Sequence, residues 1–166
     1  MLRYLTLPLL ALLLPSLSTV ARAADSELVV RYSAKAKFEN VREDLVNAIT
    51  GRGLVVDHTS HVAKMLDRTG KDLGKTMKMY GEDQGQVFSF CSAVVSRATM
   101  EADPHNIAFC PYTIAVYTTL KEPDTVYVAY KRLPRPDGSA TSKASLQAVE
   151  KLLDELAREA LNLPSK

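Results

Sequence analysis

CPYTIAVYTTLKEPDTVYVAYK, residues 110–131, is the stretch that decides the fold. Two runs rich in β-branched and aromatic residues, Cys110–Thr119 and Val126–Lys131, flank a Lys-Glu-Pro-Asp turn at 121–124. Such side chains suit a pleated surface, and proline with aspartate suits the turn between two strands. The stretch predicts an antiparallel hairpin. Immediately upstream, Val87–Ser92 predicts a further strand. Its alternation sets Val87, Ser89 and Cys91 on one face and Phe88 and Phe90, read as core, on the other. Cys91 is thereby expected to face a cleft or the next helix. That helix begins at Ser96, holds Met100 and stops before Pro104, because a residue preceding proline leaves the helical region.

Working outward, Leu28–Ser33 predicts the first strand. Phe38, Val41, Leu45 and Ile49 recur at helical spacing and predict a helix over 38–51, ended by Gly51-Arg52-Gly53. Leu54–Thr59 predicts a second strand. Ser60 then caps a helix carrying Val62, Met65, Leu66 and Leu73, which stops near Gly74. Residues 75–85 read as a loop and Pro134–Gly138 as a linker. Leu146, Val149, Leu152, Leu153, Leu156 and Ala160 form the apolar stripe of a last helix over 142–161. The order is β-α-β-α-β-α-β-β-α. An opening βαβ unit implies parallel strands and the hairpin antiparallel ones. The expectation is an α+β fold, a mixed β-sheet with helices packed mainly on one face.

The chain has 166 residues, 46% hydrophobic and 24% charged. This is the composition of a globular protein, and it excludes disordered, collagen-like and coiled-coil chains. Residues 1–23 have the three parts of a secretory signal: basic Arg3, an apolar run over Leu5–Leu17, and Ala21-Arg22-Ala23 as an A-x-A cleavage pattern. The apolar run is short for a membrane span. Residues 24–166 are then expected to form one α+β domain in the periplasm, with secretion as the alternative. No membrane span is expected after cleavage. The signal carries two of the 21 basic residues and no acid, so the remainder is balanced at 19 basic against 19 acidic. That balance does not favour nucleic acid as a partner.

Cys91 and Cys110 are the most informative pair. In an oxidising compartment two cysteines read first as a disulfide, which would stabilise the fold by about 3 kcal/mol. Reactive thiols, metal or haem ligands and inert free cysteines are the other readings. The separation matches neither a C-x-x-C dithiol nor a zinc finger. Asp57, His58 and His61 are a candidate metal group, although capping or surface roles are commoner for such histidines. Met77 and Met79 are soft atoms that suit Cu(I), or else, like Met65 and Met100, they are packing residues. No P-loop, G-x-S-x-G elbow or catalytic triad is recognisable, so the reading leans against an enzyme and names no cofactor.

Several segments resemble one family. Val56-Asp57-His58-Thr59-Ser60-His61-Val62-Ala63 resembles the I-D-H-x-x-x-A segment of the domain of unknown function 302 family. Gln86–Phe90 is similar to its strand ending in Phe-Gly, and Met100 to its L-M position. Cys110–Tyr117 is similar to its Pro-led strand and Val126–Tyr130 to the partner strand. The similarity spans about residues 38–131. It implies a small α+β domain, often a homodimer, and maps the family's Asp-His and Met onto Asp57, His58 and Met100. Cys91 and Cys110 depart from the family pattern, standing where many members have Gly and Leu. The resemblance implies that they lie on neighbouring elements, paired or sharing a ligand, in a common pocket with Asp57, His58 and Met100.

Three functions follow as expectations. The first is a periplasmic binding or accessory protein for a small ligand, a soft metal or a redox partner. The second is a structural or assembly module acting through a dimer surface. The third is a thiol-dependent redox or sulfur-metabolism enzyme.

Overall fold

The computed structural model describes residues 28–164. The proposed signal at 1–23 lies outside them. The elements are β1 (Val29–Lys35), α1 (Phe38–Gly51), β2 (Val55–His61), α2 (Val62–Asp72), β3 (Gly85–Cys91), α3 (Ala93–Ala102), a 3-10 helix (Pro104–Phe109), β4 (Tyr112–Thr119), β5 (Glu122–Lys131) and α4 (Ala140–Ala160). The α+β class and the element order are as expected. The sheet has the order β1-β5-β4-β3-β2. Every neighbouring pair is antiparallel, so the sheet is not mixed. The reason is the reach of the opening βαβ unit. β1 and β2 do run the same way, but α1 carries the chain across the whole sheet, and the later strands fill the gap between them.

Strand alternation decides what the sheet buries. In β4 every second residue, Tyr112, Ile114, Val116 and Thr118, is buried. Phe88 and Phe90 of β3 and Val126, Val128 and Tyr130 of β5 join the same face. Against it pack Phe38, Val41, Leu45 and Ile49 of α1 and Val149, Leu153 and Leu156 of α4. Burying an aliphatic or aromatic side chain of this size contributes about 2 kcal/mol each, which is what holds sheet to helices. The opposite face carries Arg31, Val87, Ser89, Thr113, Ala115, Tyr117 and Tyr127, all only partly buried. One end of that open face is covered. A side chain on Gly85 would meet Ala63 and Tyr80 at 3.2 Å, so glycine lets the start of α2 and the ring of Tyr80 lie against β3.

Local details differ from the sequence reading at the ends of elements. Ser60 lies inside β2, and α2 starts after His61 with no side-chain cap. Ser92, rather than Ser96, caps α3, its hydroxyl accepting the Val95 N–H. The expected turn at 121–124 is tighter, since Glu122 already pairs with Thr119. The 3-10 helix is held by Asn106, whose amide donates to the Thr99 carbonyl and the Ser142 hydroxyl.

A polar cluster ties β1 and β5 to α4. Asp154 accepts hydrogen bonds from the hydroxyls of Tyr32 and Tyr130 and from Arg158 Nε, the last at 2.7 Å. Arg158 Nη2 also donates to the Tyr32 hydroxyl at 2.8 Å, and its guanidinium lies over the Tyr32 ring. Burial alone would push the Asp154 carboxyl up. The Tyr32 hydrogen bond and the Arg158 contacts outweigh it and hold the carboxyl below its ordinary range. Burial and the Asp154 hydrogen bond push the Tyr32 phenol up to about 12. A lowered carboxyl lends stability that is complete above its unfolded value and lost as pH falls through the folded one. A raised phenol lends stability that is complete below its unfolded value, near 10, and lost as pH climbs toward 12. Asp154→Asn is therefore expected to lower unfolding stability by about 3 kcal/mol at neutral pH, measured by urea denaturation. It should also flatten the acid-side decline of the wild type.

Candidate functional site

The candidate site is a corner of the open sheet face, where β2 and β3 meet the start of α3. A β-bulge builds it. Val56 pairs with Phe90 and His58 with Ser89, so Asp57 is the extra residue in β2. Residues opposed across a ladder share a face, and a bulge re-aims the residues around it. His58 is thereby set on the Ser89 face. Asp57 also reaches that side, accepting a hydrogen bond from the Ser89 hydroxyl at 2.6 Å. One step along, Val55 opposes Cys91, the last residue of β3.

Cys110 reaches the same corner from the other direction. The chain leaves β3 at Cys91, makes α3 and the 3-10 helix, and returns at Cys110, which is joined by a cis peptide to Pro111 ahead of β4. Phe90 pairs with Tyr112, so the residues just beyond them on the two strands are neighbours. The two sulfurs are 2.9 Å apart as free thiols. The Ser96 hydroxyl lies 3.9 Å from Cys110 Sγ and donates to the Tyr112 hydroxyl at 3.1 Å. Cys91 is exposed as a residue, but its sulfur is turned against Cys110. Packing around that sulfur, the hydrogen bond to Cys110 and the nearby Asp57 carboxylate push its thiol up to about 12. A thiol so raised ionises little at neutral pH and is a slow nucleophile.

Of the residues singled out from the sequence, Cys91, Cys110, Asp57 and His58 come together at this corner. Met100 stands apart. It is partly buried and lies seven residues into α3, about 10 Å along the helix axis. His61 separates from His58 because alternation sends it to the other side, opposite Gln86. It pairs there with both oxygens of Asp83 at 2.9 Å. The candidate metal group Asp57, His58 and His61 is therefore not assembled. Among the described residues no three His, Cys, Asp or Glu are grouped so as to hold a metal ion. Ser89 is the site residue the sequence reading passed over. Its alternation with Cys91 was legible, but its partner Asp57 is supplied by a bulge that no pattern announces.

Comparison with known proteins adds the fold family. A solved structure described as an uncharacterized conserved protein DUF302 from Bacillus stearothermophilus superposes with a TM-score of 0.65 at 13% identity. The match covers 81% of this chain and 99% of that one, a likeness of fold. A search of curated proteins found no match. The family model for Domain of unknown function DUF302 matches residues 29–162, which include the whole cysteine corner and every strand. The chain belongs to the DUF302 family.

Proposed function

We propose that the protein is a periplasmic accessory protein whose working site is the Cys91–Cys110 corner, and that this pair passes between dithiol and disulfide with a redox partner. The observation that carries the reading is the 2.9 Å separation of the sulfurs. On oxidation the two S–H bonds break and one S–S bond forms. The two electrons and two protons pass to a disulfide of the compartment, which leaves as two thiols. Thiol–disulfide exchange starts from a thiolate, so with the Cys91 thiol raised the attack on a partner's disulfide is assigned to Cys110. Asp57, His58 and Ser89 form the polar rim that a partner would meet.

The protein isolated from its exporting host and alkylated without reductant is expected to take up no label and to start at Ala24 by intact mass. Two alkylated thiols that stay open in a glutathione disulfide buffer would overturn the reading. Closing the pair should stabilise the protein by about 3 kcal/mol over its reduced form. Reductant should remove that difference in the wild type and change nothing in Cys91→Ser.

The open sheet face favours a second reading, a module assembling as a homodimer. Its central strands present Val87, Ala115, Ala129, Tyr117 and Tyr127, with the two tyrosine rings stacked at 5.2 Å and Arg31 over Tyr127. Small and aromatic side chains with few charges suit face-to-face packing. On this reading sedimentation velocity gives a dimer for the wild type and a monomer for Ala115→Arg. A wild type that stays monomeric at high concentration removes it.

A further inference from the structure

The segment 62–79, comprising α2 and the chain that follows it, has a surface unlike the rest of the molecule. It carries five basic residues against Asp67 and Asp72, in a chain whose remainder after the proposed signal is balanced overall. Lys64, Arg68 and Lys71 stand at i, i+4 and i+7 of α2 and form one outward stripe. All three are exposed, as is Lys75, and none of the four forms an ion pair among the described residues. These cations border a cavity of about 540 Å³ between α2 and the chain at 75–83. Three acids line it too, but Asp67 is engaged by Lys78 at 3.3 Å and Asp83 by His61 at 2.9 Å, which leaves Glu82.

Met77 lines that same cavity, Met65 shares a shallower one with Lys64 and Arg68, and further large apolar side chains of the segment stand in solvent. Leu73 is 73% exposed and Met77 81%, and Met65 and Met79 are exposed as well. The expectation that Met77 and Met79 pack a loop is not met. Exposed apolar groups that no described residue covers, beside lysine and arginine with no ion pair among the described residues, have the makeup of a surface that lies in a lipid headgroup layer. The apolar tips enter the acyl boundary, the lysine stems follow them, and the charged ends meet phosphates. A free phosphate would use the cations and leave Leu73 and Met77 without purpose. A folded acidic partner would use both as well, and vesicle binding tells the bilayer from it.

We infer that segment 62–79 is a docking surface for a membrane bearing anionic phospholipid, which holds the protein against the bilayer without spanning it. The surface is separate from the cysteine corner and does not rest on the function proposed there. The test is co-sedimentation of the purified protein with vesicles of phosphatidylcholine containing about one-third phosphatidylglycerol, and with vesicles of phosphatidylcholine alone. Binding is expected to the anionic vesicles only and to weaken as salt rises. Replacing Lys64, Arg68 and Lys71 by Gln should lower the partition coefficient about five-fold for each cation removed. Leu73→Ser/Met77→Ser should also lower it, and this variant changes exposed residues only, so it reads the surface even where the triple variant fails to fold. Equal binding to both vesicles, or full binding by Leu73→Ser/Met77→Ser, overturns the inference. Competition by inorganic phosphate, with the Leu73→Ser/Met77→Ser variant unaffected, would assign the cations to free phosphate instead. Binding to polyglutamate but not to vesicles would assign them to an acidic protein.

Discussion

The alternation of β4 is the constraint on which the rest of the structure depends. Tyr112, Ile114, Val116 and Thr118 turn inward, and Thr113, Ala115, Tyr117 and Thr119 turn outward. A one-residue slip would move Ile114 and Val116, both fully buried, onto the open face and bring threonine and alanine against α1 and α4. Because β4 is the middle strand, its register sets those of β3 and β5, and through them β2 and β1. Hydrophobic burial on one side thus fixes where every polar residue on the other side stands.

The cysteine corner is a product of that register. Cys91 ends β3 and Cys110 precedes β4, and they meet because the two strands are paired up to Phe90 and Tyr112. The excursion between them is long, yet both of its ends are tethered by the sheet. A bond at its base would add to the contacts that already fasten α3 and the 3-10 helix to the body, Ser96 to Tyr112, Asn106 to Ser142 and Asp103 to Arg135. The pair therefore governs a subdomain edge more than the core. Its chemistry can change while Phe88, Ile114 and Val128 stay packed.

Much of this was legible in the sequence because it rests on period. The stripes of α1 and α4 and the two faces of β3 follow from spacing alone, and the buried residues are those the spacing names. The pairing of β1 was not legible. A βαβ unit looks the same in sequence whether its second strand lands beside the first or at the far edge. Asp57 and His58 were found as a motif, but how they reach Ser89 depends on one unpaired residue in β2, a matter of ladder geometry. Met100 was grouped with them by resemblance, and the axial rise of α3 separates it from them. Met77 and Met79 show the opposite failure. Apolar residues in a loop are by default packed, and only the tertiary arrangement reveals that these stand in solvent.

The order β1-β5-β4-β3-β2 also sets a timetable. Both edge strands come from the first part of the fold, and each has a single partner made later: β3 for β2, β5 for β1. A chain emerging N-terminus first holds β1, α1 and β2 with no strand to pair until Gly85 and the residues after it appear. β1 waits until the end of β5 at Lys131, and the core stays open until α4 arrives. β1 and β5 pair across ninety or more sequence positions, and such non-local pairing folds slowly. A sheet whose borders are made first and whose centre is made last leaves its leading segment unpaired until the trailing one has been made.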